Sequence, residues 1–223
     1  MQKFDTTAPI AVVLDVAAGR VQVIAADRAD AVVEVRPVDA SKGRDVKAAE
    51  ETTVAYADGV LRIETPVAKH QMLGASGEVE VTVQLPAGSS VEAKAAAAEF
   101  RGVGRLGDVV LEGAQGLVRL DETAGARLTL QAGDISVGRL GGPAEISTQK
   151  GDLRINEAVR GTVVLSTQSG DISVGAARGV SASLDAGTAY GRIANALNNT
   201  EGPAAALNIR ATTAYGDITA RSL

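Results

Sequence analysis

The sequence predicts an all-β protein, a single-chain β-helix (β-solenoid) with coils of about 18–20 residues that follows a less regular β-rich N-terminal region. The first observation is a glycine-led phrase that recurs through the second half of the chain as GDISV, GDLRI, GDISV, GRIAN and GDITA. The second is the alternation of apolar residues around each glycine, which is the pattern of a strand with one buried face. The third is an aromatic content of only 2%, because a core of small aliphatic residues suits thin stacked coils. The phrases begin at Gly133, Gly151, Gly170, Gly191 and Gly216, and a related phrase, GLVRL, begins at Gly116.

Residues 1–88 are predicted to be β-rich but irregular, and residues 89–223 to form the solenoid repeats. Strands are expected at IAVVLDVAAGRVQVI, at AVVEVRP, which Pro37 ends, and at VEVTVQLP. A short helix is expected around DVKAAEE, and Asp58-Gly59 is a typical hairpin turn. We expect this region to serve as a cap or as early coils, covering an edge that would otherwise be open to association.

Each repeat is predicted to supply two short strands joined by the glycine turn. Apolar residues stand two and four places after the glycine, and a second alternating pair precedes the next glycine. The steps between successive glycines are 17, 18, 19, 21 and 25 residues, so each repeat is expected to stack on the one before it. A stack of antiparallel hairpins would give the same spacing. The apolar pattern weakens at Ile193 and Asn195, where the steps become longest.

Composition and charge narrow the classes of function. The net charge of −5 and the dispersed basic residues argue against a nucleic-acid partner. No stretch approaches the roughly 18 apolar residues of a membrane span. The chain starts MQKFDTTAPI, without the apolar core of a secretory signal, so a cytoplasmic location is expected.

The chain resembles a bacterial adhesin-like family of unknown function. The resemblance is carried by the GDI/L-x-V/I phrases, by STQKGDLRI and STQSGDISV, and by VTVQLPAGSSVEAKA, and it is most specific over residues 77–220. It implies β-helical repeats, a link to cell-envelope stress or to sensing of membrane-active peptides, and no established catalytic residue. The richness in Ala, Val, Gly and Arg is similar to that of proteins from GC-rich genomes, which favours an actinobacterial source.

One aspartate follows the glycine in most repeats, at Asp134, Asp152, Asp171 and Asp217. In a β-helix these carboxylates would stack about 4.8 Å apart. Asp134, Asp152 and Asp171 are therefore candidate ligands for a shared Ca²⁺ ion, which binds six to eight oxygens. The alternative is that each aspartate holds its own turn by bonding the backbone. Arg192 replaces the aspartate in one repeat and is expected to form an ion pair with a neighbour.

The candidate binding residues are Tyr190, Tyr215, His70 and Met72. Tyr190 and Tyr215 occupy identical TAYG phrases and are expected to stack, either as an exposed binding platform or as a ladder that stabilises the last coils. His70 and Met72 stand in the aperiodic loop 67–77, a weaker contact candidate. A threonine column is expected to form a hydrogen-bonded ladder, from Thr148, Thr167, Thr188 and Thr213.

The sequence favours a noncatalytic scaffold that binds a protein partner or associates with a second copy of the chain. The alternative is a module that binds a peptide or small molecule in an envelope-stress or resistance pathway. A carbohydrate-active enzyme is the third choice, because glycosidases use two carboxylates in a defined geometry and a uniform column does not supply that. No catalytic residue is assigned, and Ca²⁺ is the one cofactor considered.

Overall fold

The computed structural model describes residues 1–6, 8–66 and 77–223. The chain divides into two compact units, Met1–Gly116 and Leu117–Leu223. Strands make up most of both units, which confirms the all-β class, and the described residues contain one α-helix and one short 3-10 helix, Gly202–Ala204. No helix in these described ranges has the length and apolar character needed to cross a bilayer. The proposed division of the chain at residue 88 stays a prediction.

The first unit combines parallel and antiparallel pairing. Strand β2 pairs in parallel with β7 over most of its length and also, in parallel, with β5 and β6. The antiparallel pairs are β1 with β3, β3 with β6, and β4 with β5. The elements are β1 (Gln2–Asp5), β2 (Ala11–Ala26), β3 (Asp30–Pro37), α1 (Gly43–Glu51), β4 (Thr53–Ala57), β5 (Val60–Glu64), β6 (Val79–Pro86) and β7 (Ser90–Gln115).

Local sequence signals in this unit are confirmed. The helix expected around DVKAAEE is α1, and β3 ends at Pro37 as expected. The hairpin between β4 and β5 turns at Asp58 and Gly59, whose φ angles are 50° and 75°. Two consecutive left-handed residues are the requirement of a tight hairpin turn, and Asp-Gly meets it.

The second unit consists of two series of parallel strands. In spatial order the first series is β8, β10, β12, β16, β14, and the second is β9, β11, β13, β17, β15, with β8 pairing to both β9 and β10. The strands are β8 (Val118–Ala132), β9 (Ile135–Leu140), β10 (Ala144–Lys150), β11 (Leu153–Ala158), β12 (Gly161–Ser169), β13 (Ile172–Ala176), β14 (Ala182–Tyr190), β15 (Ile193–Ala196), β16 (Leu207–Tyr215) and β17 (Ile218–Ser222).

The register of these pairings places equivalent residues of each repeat opposite one another. Ile146, for example, lies opposite Leu128 on one side and Leu165 on the other, and all three are buried. Alternate residues therefore build one continuous aliphatic interior. The parallel pairing between repeats does not fit a stack of antiparallel hairpins, so that alternative is wrong for this unit.

The expectation that every repeat stacks on the one before it is wrong for the last two. Strands β16 and β17 lie between the β12/β13 repeat and the β14/β15 repeat. We call residues 182–196, which contain β14 and β15, the end repeat. The physical reason for the order lies in the inward residues: Ile209 and Ile218 are buried between neighbours, whereas Asn195 is polar and lies exposed in the end repeat.

Candidate functional site

The recurring glycine marks a turn where adjacent repeats approach very closely. Gly170 has a φ of 154°, and a Cβ added there would overlap the carbonyl oxygen of Gly151. Its N–H donates to the carbonyl of Tyr215 in the next repeat at 2.9 Å. Glycine is needed at this turn because it alone leaves room for the neighbouring carbonyl. Equivalent overlaps would arise at Gly151, Gly191 and Gly216.

The aspartates that follow these glycines form a directional hydrogen-bonded column. Oδ1 of Asp134 accepts the backbone N–H of Asp152 at 2.9 Å, and Oδ1 of Asp152 accepts that of Asp171 at 2.8 Å. Asp171 accepts the N–H of Asp217 at 2.7 Å, and Asp217 accepts that of Arg192 at 2.8 Å. Each carboxylate thus bonds to the backbone of the next repeat rather than to its own turn.

Arg192 ends the aspartate column. Its guanidinium lies 2.9 Å from Oδ2 of Asp217, which confirms the expected ion pair. The Arg192 backbone N–H, followed by its guanidinium, lowers the pKa of Asp217 below the usual value of 3.8. The column is therefore a run of exposed carboxylates whose outermost member, beside the end repeat, is paired with a cation.

The aspartate column gives the calcium hypothesis no added support. One oxygen of Asp134, Asp152 and Asp171 already accepts a backbone N–H. Within residues 1–6, 8–66 and 77–223, no group of three or more His, Cys, Asp or Glu side chains has the arrangement to hold a metal ion. Calcium binding at these three residues stays a prediction.

The threonine column forms the expected ladder of hydrogen bonds, with the glycine carbonyls as acceptors. Thr167 Oγ1 donates to the carbonyl of Gly151 at 3.2 Å, and Thr213 Oγ1 donates to that of Gly170 at 3.1 Å. The threonines are therefore linked to the neighbouring repeat rather than to one another. The corresponding bonds of the column are Thr148 to Gly133 at 3.4 Å and Thr188 to Gly216 at 3.1 Å.

Tyr190 and Tyr215 stack as expected. Their ring centroids are 5.0 Å apart and their planes differ by 3°. Both are exposed, Tyr190 to 67% and Tyr215 to 59%, which is unusual for large side chains. In register they continue a column from Lys150 and Ser169, and Tyr190 belongs to the end repeat. The pair is an aromatic surface beside the glycine turn.

The structure does not place the other two candidate binding residues. His70 and Met72 fall within residues 67–76, outside the described residues. Their role as contact residues stays a prediction, and the candidate site that can be described is the tyrosine pair with the Arg192–Asp217 ion pair that follows it in sequence.

The sequence did not predict that the end repeat has a neighbouring repeat on one side only. Ile193 is 46% exposed, although its partner in register, Ile218, is 1% exposed. Leu184, on β14, is only half-buried. The weakened apolar pattern at Ile193 and Asn195 was the signal that these residues do not lie between two neighbours.

Sequence reasoning also missed a buried carboxylate in the first unit. Asp45, in the first turn of α1, is 1% exposed, and its Oδ1 accepts the backbone N–H of Glu78 at 3.1 Å. Its Oδ2 has no hydrogen-bond partner among the residues that the structure describes. Asp45 ties the helix to the residue before β6, which is a structural role.

Residues 11–222 match the model of the Toastrack DUF4097 family. The chain belongs to the Toastrack DUF4097 family. This confirms the resemblance to an adhesin-like family of unknown function. Among curated proteins, none matches this Toastrack chain.

Several solved structures are similar to this chain at low sequence identity. A "putative adhesin" from Bacteroides fragilis NCTC 9343 is 15% identical to this Toastrack chain, covering 98% of it and 95% of that chain, with a TM-score of 0.60. A "putative lipid binding protein" from Parabacteroides distasonis ATCC 8503 is 11% identical, with 98% and 95% covered and a TM-score of 0.49. A "putative cell adhesion protein" from Clostridium sporogenes ATCC 15579 is 10% identical, with 100% and 99% covered and a TM-score of 0.41. The first of these likenesses concerns the fold alone.

Proposed function

We propose that this chain is a noncatalytic interaction scaffold, and that residues 117–223 are a β-solenoid presenting regular outer columns to a protein partner. The observation that carries the proposal is the aspartate column, in which each carboxylate accepts a backbone N–H of the next repeat. These bonds lie on the exposed side of the glycine turn, and buried threonines that donate to glycine carbonyls add a second link between neighbouring repeats. Such a surface is rigid and repetitive, which suits presentation of a binding face.

The uniformity of the aspartate column supports a noncatalytic role. Glycoside hydrolysis uses two carboxylates with different tasks, and their surroundings drive their pKa values apart. Asp134, Asp152 and Asp171 are instead all exposed, and each accepts the same backbone N–H from the next repeat. A column of equivalent carboxylates does not supply the two different positions that this chemistry uses.

The enzyme alternative is tested by incubating the purified chain with a glycan library and measuring released products. We expect no turnover. Asp152→Asn is the informative variant, because the amide Oδ1 still accepts the next repeat's N–H while the carboxylate is lost. Asp185→Asn, also exposed but outside the column, is the matched control. Turnover by the natural chain that disappears in Asp152→Asn but not in Asp185→Asn would overturn the proposal.

The outer surface that we propose binds a protein partner is tested by photo-crosslinking in the native organism. Ser166 and Thr212 are exposed and lie opposite each other in register on β12 and β16. A crosslinking residue at either position should give an adduct of the same mass. The control position is Thr219, exposed on β17 in the other strand series. The scaffold proposal fails if no adduct forms, or if all three positions give the same pattern.

A second candidate function is peptide binding at the tyrosine pair, favoured by the exposure of Tyr190 and Tyr215. Stacked rings offer apolar area with a polar hydroxyl edge, and the chain's charge of −5 attracts cationic peptides. Calorimetric titration with a synthetic cationic amphipathic peptide should give heat that the double Tyr→Ala variant abolishes and the double Tyr→Phe variant retains. Absence of heat, or heat unchanged in the alanine variant, rejects this function. Titration with Ca²⁺ alone tests the proposed calcium site in the same way.

A further inference from the structure

We propose that the end repeat is the interface between two copies of this chain, which pair edge to edge about a two-fold axis. The inference deepens the proposed scaffold function by naming a partner, a second copy, and the surface that binds it. It is carried by three features of residues 182–196: open strand edges, an exposed apolar interior, and a shape that another copy of the same repeat can match.

The first feature is a pair of unprotected strand edges. Among the residues that the structure describes, β14 pairs with β16 alone and β15 with β17 alone, whereas β16 pairs on both sides. Natural edge strands usually carry Lys, Pro or bulges that prevent pairing with another chain. β14 reads ASLDAGTAY and β15 reads IANA, with one charge and no proline between them. One bond covers the start of the β14 edge, where the N–H of Ala182 donates to the carbonyl of Asn198 at 3.0 Å. Beyond Ala182, the outer edges of β14 and β15 pair with no other strand among the described residues.

The second feature is the apolar interior that opens at the end repeat. Ile193 occupies the inward position that Ile218 and Ile172 fill in the neighbouring repeats, where each is 1% exposed. At the end repeat the same position is 46% exposed, and Leu184 is half-buried. Covering these side chains would remove apolar surface from water, which favours association.

The third feature favours a second copy of the chain, rather than a single peptide, as the partner that binds the end repeat. The end repeat presents two open edges whose separation is fixed by the repeat itself. One extended peptide can pair with β14 or with β15, but it leaves the other edge unpaired. A second end repeat presents the same two edges at the same separation, as an isologous two-fold interface requires.

Charge is compatible with this pairing. In an antiparallel β14 pair centred on Ala186, Asp185 lies opposite Gly187 and Leu184 lies opposite Thr188, so like charges do not face each other.

The test is light scattering coupled to gel filtration over a wide range of protein concentration. We expect the full chain to change from its 22.6 kDa monomer to a species of twice that mass. Ile193→Lys places a charge inside the interface and should weaken dimerisation about 100-fold or more, because that charge would be buried without a partner. Ile193 is already half-exposed in the monomer, so the fold should persist, as circular dichroism will show.

Thr219→Lys is the matched control, since it adds the same charge on the exposed face of the adjoining strand β17 and should leave the dimer intact. Hydrogen exchange should show amides of β14 and β15 becoming protected as concentration rises. A monomer at every concentration, a dimer that survives Ile193→Lys, or a series of larger oligomers would each overturn the two-fold proposal. Crosslinking from Ser166 in the Ile193→Lys background tests the scaffold separately, so either idea can fail without the other.

Discussion

Replacement of Gly170 by alanine tests whether close approach between repeats makes glycine necessary. The new Cβ would overlap the carbonyl oxygen of Gly151 and lie 3.0 Å from Oδ1 of Asp152, the atom that accepts the N–H of Asp171. The backbone at Gly170 has a φ of 154°, which side-chain-bearing residues rarely adopt. Alanine must therefore distort both the turn and the hydrogen bonds beside it.

The expected loss is about 2–4 kcal/mol. Holding a non-glycine residue in this backbone region costs about 1–3 kcal/mol. Weakening the bonds from Gly170 N–H to Tyr215 and from Asp171 N–H to Asp152 adds about 1 kcal/mol for each bond lost. Alanine has less conformational entropy than glycine in the unfolded chain, and this difference offsets about 0.5–1 kcal/mol of the lost stability.

Gly187→Ala is the matched control for the same chemical change. Gly187 lies in β14, and an added Cβ there meets nothing within 4 Å. We expect this variant to be unchanged or up to about 1 kcal/mol more stable. Native-state hydrogen exchange is the assay, because a chain of two units need not unfold in one step and exchange reports on residues 117–223 separately. Equal stability of the two variants would refute the close-approach argument.

Three further outcomes concern carboxylates. The pKa of Asp30 is lowered to about 2, first by its hydrogen bond from Arg28. The ionised carboxylate therefore stabilises the fold above about pH 4, and this stabilisation is lost as the pH falls towards 2. Asp30→Asn should flatten this part of the curve of stability against pH. Arg192→Ala should raise the pKa of Asp217 in an NMR titration without restoring 3.8, because the backbone N–H remains, and an unchanged pKa contradicts the ion pair. Asp152→Ala should lower the stability of residues 117–223 by about 0.5–1 kcal/mol in native-state hydrogen exchange, and Asp152→Asn should lower it less; the reverse order contradicts the column.

The repeat itself was predictable because its signals are local. The glycine, the aspartate after it and the threonine before it recur at fixed positions, and each makes the same bond in successive repeats, as at Thr167, Gly170 and Asp171. The Tyr190–Tyr215 stack followed from identical TAYG phrases. Patterns of this kind report which residues share a column and which face inward.

The spatial order of the last repeats was not predictable from the same signals. β14 and β16 both offer an alternating strand that ends in TAY, so either could pair with β12. The choice depends on which strand fills the interior better, a property of packing rather than of the motif. Ile209 and Ala211 are buried on β16, whereas Leu184 and Ala186 on β14 are not fully covered.

The order of the strands also constrains how the second unit can be assembled. Among the described residues, the strands of the end repeat pair only with β16 and β17, and residues 207–222 also cover the open side of β12 and β13. Addition of one repeat at a time in chain order cannot build this arrangement. During synthesis, residues 182–196 are made before their native strand partner, residues 207–222. They can pair only after residues 207–222 have emerged and have inserted between the end repeat and residues 161–176. The last segment made is therefore the one that joins the repeats on either side of it.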